Sequence, residues 1–166
     1  MRCYLAGPMS NYPAFNFPEF DRAAARLRAK GWEVISPAEE DRKQGIGAAA
    51  EASPDGDPTG MPITWGSCLA RDVKLIADGG IQGIAFLKGW EKSRGARLEA
   101  SVGLLIKGML FFEQQDDGQD WEHFAEIGVG DVASVLMVEA LRYQETEHPL
   151  LDVIETLGNG ELYCAH

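Results

Sequence analysis

Four short apolar runs, spaced by segments of helical periodicity, restrict the fold of this chain more than any other feature. The runs are Arg2-Cys3-Tyr4-Leu5-Ala6, broken by Gly7-Pro8; Trp32-Glu33-Val34-Ile35, ended by Ser36-Pro37; Ile81-Gln82-Gly83-Ile84-Ala85-Phe86-Leu87, closed by Lys88-Gly89; and residues 109–112. Each has the length and composition of a strand. Between them, residues 18–30 place Phe20, Ala23, Ala24 and Leu27 at helical spacing, and residues 63–78 do the same with Leu69, Val73 and Ile76. A third helix follows Ser93 and carries Leu98, Val102, Leu105, Ile106 and Met109. Proline opens the first helix and Gly31 stops it, while Gly79-Gly80 stops the second. Such alternation predicts an α/β domain: a parallel sheet with helices on both faces. Ligands in sheets of this kind bind outside the carboxyl ends of the strands. That rule gathers Ala6-Gly7-Pro8, Lys88-Gly89-Trp90 and the start of the third helix at one rim.

The remaining segments are less regular. Residues 38–60 are charged and then rich in Gly, Ala, Pro and Asp, with no periodicity, and read as a long mobile loop of the sort that often acts as a lid. Beyond Phe112, residues 113–120 read as a polar acidic connector, 132–143 as an amphipathic helix and 150–157 as a shorter helix ended by Gly158. The expected organisation is a domain over residues 1–112 followed by an acidic, partly helical extension over 113–166. The extension either covers the edge of the sheet or pairs subunits.

Charge and residue usage narrow the function classes. Residues 1–112 hold 14 Lys+Arg against 13 Asp+Glu, whereas 113–166 hold Arg142 alone against 13 acidic residues. Phosphate backbones demand basic surface, so nucleic acid is not an expected partner; small anionic ligands of the near-neutral body remain compatible. Cys3, Cys68 and Cys164 are odd in number and far apart, which suggests neither a disulfide framework nor a zinc site. His123, His148 and His166 all fall in the last third of the chain, away from the motifs below, so no metal is expected. The 166 residues suffice for one good core and leave no room for a second enzyme domain. No membrane span and no leader pattern is read, and the expected location is cytoplasmic.

Chemistry concentrates on a few side chains, each with two readings. Glu99 falls on the edge of the apolar face of the third helix, beside Ile106, and Asp72 falls on the edge of the Leu69/Val73/Ile76 stripe. Each carboxylate either pairs with Arg71, Arg94 or Arg97, or the two form the carboxylate pair of retaining glycosyl transfer, one attacking the anomeric carbon and the other handling the leaving group's proton. Ser93 is a favoured helix N-cap. With Lys92, Arg94 and the amide of Gly95 it would equally seat a phosphate. Tyr4 is either a core aromatic or a hydroxyl aimed at the rim. The loop Asn11-Tyr12-Pro13-Ala14-Phe15-Asn16-Phe17-Pro18 either packs or walls a pocket for a planar base.

Three motifs taken together, Tyr4-Leu5-Ala6-Gly7-Pro8-Met9-Ser10, Arg71-Asp72 and Ser93-Arg94-Gly95-Ala96-Arg97-Leu98-Glu99, resemble the nucleoside 2-deoxyribosyltransferase superfamily. The likeness is greatest to its phage-type branch, with a Leu-Ala-Gly-Pro-Met start and a Gly-Trp-Glu-Lys-Ser-Arg-Gly-Ala-Arg-Leu-Glu signature, and covers about residues 2–112. The resemblance implies a Rossmann-like, flavodoxin-like fold in which Glu99 attacks C1′ of the sugar, Asp72 engages and protonates the base and Tyr4 orients Glu99. Gly7, Pro8, Met9, Ser10, Phe17, Ser93, Arg94 and Gly95 would bind substrate, with no cofactor, and the protein would be a homo-oligomer.

One position departs from the transferases. Those acting on free nucleosides have an aspartate six residues before the nucleophile, where this chain has Ser93. An aspartate repels a 5′-phosphate, while a hydroxyl at a helix N-terminus donates to it, and the 5′-monophosphate N-glycosidases of the superfamily also have serine there. The expected activity is therefore hydrolysis of a (deoxy)nucleoside 5′-monophosphate through a glutamyl-glycosyl intermediate. Base exchange between nucleosides is the second reading, and a non-catalytic nucleotide-binding protein the third.

Overall fold

The computed structural model describes residues 1–115 and 123–144. Five strands, β1 (Arg2–Ala6), β2 (Glu33–Ile35), β3 (Gly83–Phe86), β4 (Leu110–Gln115) and β5 (His123–Ile127), form one sheet in the order β2-β1-β3-β4-β5. The first four are parallel and β5 returns antiparallel along β4. Among the described residues, six α-helices accompany them: α1 (Phe17–Ala29), α2 (Pro37–Lys43), α3 (Gly47–Glu51), α4 (Trp65–Asp78), α5 (Arg94–Leu104) and α6 (Val129–Gln144). The chain leaves β1 toward β2 on one side and returns to β3 on the other. A crevice therefore opens at the carboxyl ends of β1 and β3, the switch point of an open α/β sheet.

Both faces of the sheet are covered, and strand parity assigns each side chain to one of them. Cys3, Leu5, Ala85, Leu87 and Phe112 face α1 and meet Phe17, Phe20, Ala23, Ala24 and Leu27. Tyr4, Ala6, Ile84, Phe86 and Phe111 face the other way and meet Ile76 of α4, Ala96 and Ala100 of α5 and Val132 of α6. The α/β architecture expected from the alternation is observed, in the Rossmann-like form that the resemblance implies. Among the described residues, no helix is long and apolar enough to cross a membrane.

Four expectations require correction. Residues 38–60 are not one loop: Pro37 opens α2 and Gly47 opens α3. Beyond Pro37, their buried residues are small or polar (Ala38, Asp41, Gly47 and Ala50), so no stripe of large apolar residues marks them. Arg42 fastens them instead. Its guanidinium binds Asp21 of α1 at 2.7 and 2.8 Å and Glu51 of α3 at 2.8 Å, and lies 4.9 Å from the ring centroid of Phe17.

Residues 113–115 of the expected connector belong to β4, and β5 joins the same sheet by pairing Gln115 with His123 and Phe111 with Ile127. The expected boundary at residue 112 thus falls inside a strand. The helix expected over 132–143 is α6, and the one expected over 150–157 lies outside the described residues.

Phe17, expected at the ligand rim, is the first residue of α1 and is fully buried against the sheet-side core. The turn before it explains this: Ala14, Phe15 and Asn16 all adopt left-handed backbone, with φ of 51°, 49° and 61°, which swings Phe17 into the core. Asn16 Nδ2 donates to the carbonyl of Pro8, and the Ala14 amide donates to the carbonyl of Ser53. These bonds hold a conformation that L-residues rarely adopt.

Finally, α5 does not bury the face that its large residues suggest. Leu98 and Leu105 are exposed, and the buried residues are Ala96, Glu99, Ala100 and Gly103. A Cβ on Gly103 would lie 2.6 Å from Ile84 Cδ1 and 3.0 Å from Phe111 Cε1. The small-residue face lets α5 lie close on the sheet, and Glu99 lies in the middle of it.

Candidate active site

Glu99 is 5 % exposed, and Tyr4 on β1 reaches it: the phenol donates to Glu99 Oε1 at 3.0 Å. Asp72 of α4, also 5 % exposed, faces the same phenol and the same glutamate. Three elements far apart in the chain thus place two carboxylates and a hydroxyl together. Of the arginines expected to neutralise these carboxylates, Arg71 alone does so. It holds Asp72 through Nε at 2.8 Å and Nη2 at 3.1 Å. Arg97 instead pairs with Glu139 of α6 at 3.2 Å, and Arg94 lies 5.1 Å from the ring centroid of Trp65. Glu99 takes its hydrogen bond from Tyr4.

Burial controls the titration of the group. It is the main force raising Glu99 from 4.5 to about 8, followed by the charge of Asp72, while the Tyr4 hydrogen bond and Arg71 pull the other way. Asp72 rises from 3.8 to about 6, again through burial, against the pull of Arg71. Tyr4 is held well above its usual 10 by burial and by Glu99. The pair therefore retains a proton near neutrality, as like charges sharing one buried site do. A carboxyl group that keeps a proton at pH 7 is suited to general acid work.

A cavity of about 620 Å³ opens onto these carboxylates, within the range of small-molecule sites. Gly7, Pro8, Met9 and Ser10 line it from the end of β1, and Ser93, Arg94 and Gly95 from the start of α5. Phe17 does not line it. From the loop of residues 11–18, Asn11 and Tyr12 are the residues that do, whereas Phe15 packs against the α1-side core. Gly7 is required by packing, since a Cβ there would meet Leu87 Cβ at 2.8 Å.

Ser93 caps α5 by accepting from the Ala96 amide at 3.3 Å, and its hydroxyl donates to the carbonyl of Gly7 at 3.4 Å. The helix entrance is thereby tied to the first strand's end. Arg94 and Gly95, whose amides have no partner carbonyl within the helix, line this corner of the cavity.

Several lining residues carry no signal that the motifs above pick out: Trp65, Cys68 and Leu69 of α4, Pro37 and Pro58. The first three were accessible in principle, because positions three, four and seven residues before Asp72 keep to its helical face. Asp41 is likewise absent from the motifs. Its carboxylate, on α2, accepts from Arg71 Nη1 at 2.7 Å. Among the described residues, no group of three or more His, Cys, Asp or Glu side chains is placed to hold a metal ion.

Comparison with known proteins gives a family match. No curated protein and no solved structure is significantly similar to this chain. The family match spans residues 1–110, from β1 to the start of β4, and so takes in Tyr4, Asp72, Ser93 and Glu99; the chain belongs to the family described as a domain of unknown function, DUF4406.

Proposed function

We propose that this protein is an N-glycosidase that hydrolyses a (deoxy)nucleoside 5′-monophosphate to the free base and (deoxy)ribose 5-phosphate. The observation that carries the reading is the buried Tyr4–Glu99 hydrogen bond with Asp72 beside it on the wall of the cavity. Two carboxylates that share a proton suit a reaction in which one attacks and the other supplies a proton. The likeness of the three motifs to the nucleoside 2-deoxyribosyltransferase superfamily supports the same assignment.

In the proposed reaction, ionised Glu99 attacks C1′ while the C1′–N bond breaks and its electron pair departs with the base. Asp72 delivers a proton to that base. A glycosyl ester on Glu99 results. Asp72, now a carboxylate, takes a proton from water as the water attacks C1′, which releases Glu99 and the sugar phosphate. Chemistry needs the shared proton on Asp72, although the Arg71 guanidinium bonded to Asp72 favours its carboxylate and so the proton on Glu99. The Tyr4 hydroxyl opposes that preference by donating to Glu99, and positive charge developing at C1′ opposes it further.

The entrance of α5 supports a phosphate at the other end of the substrate. Gly95 lines the cavity with an ordinary φ, and a Cβ there would meet nothing nearer than Ser93 Oγ at 3.9 Å. The protein's own packing does not require glycine at this position. A phosphate drawn against the helix amides would.

The test is to incubate the protein with matched panels of nucleosides and 5′-monophosphates and to follow free base by chromatography. Release from monophosphates in preference to nucleosides is expected. Exchange onto an added second base, without net hydrolysis, would replace the reading with a transferase. Thermal stabilisation by a monophosphate with no base released would replace it with a binding protein.

A further inference from the structure

Arg71 is one cation serving two carboxylates. Its Nε and Nη2 hold Asp72 at 2.8 and 3.1 Å, and its Nη1 holds Asp41 at 2.7 Å, with all three side chains no more than 14 % exposed. A guanidinium presents its donors in a rigid planar fork, so a second carboxylate on the far side fixes the plane in which the first is gripped. Asp41 does not line the cavity that Asp72 lines, and it cannot itself meet a ligand there. It reaches the site from α2, a helix positioned by Arg42.

We propose that Asp41 is a positioning residue, which acts through Arg71 to divide the guanidinium between two carboxylates and so leaves Asp72 free to exchange the proton required when a base departs. The inference rests on the N-glycosidase reading for its purpose, but not for its electrostatics. An undivided Arg71 would pull Asp72 more strongly toward its ionised form, because an adjacent cation favours the carboxylate. Burial is the largest force raising Asp72 against that pull, and the negative charge of Asp41 adds to it.

Among the described residues, the other charged and titratable groups facing the cluster are Tyr4 from β1, Glu99 from α5, Cys68 from α4 itself, and Glu40 beside Asp41 on α2. None of them is a second cation. The Cys68 thiol hydrogen-bonds Asp41 and, pushed up to about 11 by burial, stays protonated.

The test follows the Asp72 carboxyl by ¹³C NMR titration in the wild-type protein, Asp41→Asn and Asp41→Glu, alongside the pH profile of base release from a nucleoside monophosphate. Asp41→Asn keeps an acceptor for Arg71 and removes the charge. The Asp72 titration midpoint should then fall by about one pH unit, the scale on which a nearby charge acts. The alkaline limb of kcat should move down with it, KM should stay the same, and Asp41→Glu should restore both. A folded Asp41→Asn protein whose Asp72 titrates as in the wild type overturns the proposal. If the Asn variant does not fold, Asp41→Ser, neutral and smaller, reads the same change. Failure of both neutral variants to fold while Asp41→Glu folds would make Asp41 a structural residue and overturn the proposal as well. If no nucleotide is cleaved by any variant, the N-glycosidase reading fails, and the NMR titration still decides the role of Asp41.

Discussion

Replacing Glu99 with glutamine should stabilise the protein while abolishing its turnover, and the stabilisation should depend on pH in a stated direction. In the folded protein the Glu99 carboxyl is raised from 4.5 to about 8. The native state therefore keeps a proton that the unfolded chain releases, and wild-type stability falls as pH rises from about 4.5 to about 8. Below that window Glu99 is protonated in both states and costs nothing. Above it, the folded protein carries a buried carboxylate. Raising a carboxyl by one pH unit corresponds to about 1.4 kcal/mol, which puts a ceiling of about 5 kcal/mol on the full interval. Glu99 borders an open cavity, so an ionised carboxylate regains part of its hydration there, and roughly half the ceiling, on the order of 2 kcal/mol, is the expected gain. Glutamine keeps the size and an oxygen that accepts from Tyr4, so the hydrogen bond survives. Urea denaturation of both proteins at pH values from 4 to about 9 measures the difference. The two curves should coincide at the acid end and separate with rising pH, the variant above. A pH-independent gap, or a variant less stable at the alkaline end, would refute the burial argument, and residual wild-type turnover would refute the assignment of Glu99 as nucleophile.

Three further substitutions probe the cavity wall. Ser93→Asp keeps a good N-cap and should leave Tm nearly unchanged, yet it places a negative charge at the entrance of α5 and should erase any preference for monophosphates over nucleosides, read from the ratio of kcat/KM values. Gly95→Ala has room for its methyl group and should be neutral or stabilising by up to about 1 kcal/mol, while raising KM for a monophosphate and not for the matching nucleoside. Gly56→Ala should do the opposite: Gly56 has φ of +70° and a Cβ would lie 2.2 Å from the Tyr12 carbonyl oxygen, so a loss of about 1–3 kcal/mol by urea denaturation is expected, together with a raised KM as Tyr12 leaves the cavity wall.

Much of the frame is legible in the amino-acid sequence. Four of the five strands, α1, α4, α5 and α6 can be placed from apolar runs, helical spacing, proline starts and glycine stops, because these are local signals that act within a few residues. Ser93 as the cap of α5 and the gathering of Gly7, Ser93 and Glu99 at one rim follow from the same reasoning. β5 is not legible in this way, because Glu126 interrupts a short run whose apolar members, Phe124, Ala125 and Ile127, gain their meaning from pairing with β4.

The depth of the site is not legible either. Periodicity reports where large apolar residues recur, and on α5 it points to Leu98, Val102 and Leu105. The sheet instead accepts the face whose residues are small enough for close approach, Ala96, Ala100 and Gly103, and Glu99 is buried with them. Asp41, α2 and α3 are hidden for a related reason: ion pairs spanning 21 and 30 residues, from Arg42 to Asp21 and from Arg71 to Asp41, attach α2, and the Arg42–Glu51 pair ties α3 to it. A local pattern records what a segment can bury. Which carboxylate meets which arginine, and which helix face meets the sheet, depends on partners that folding alone brings within reach.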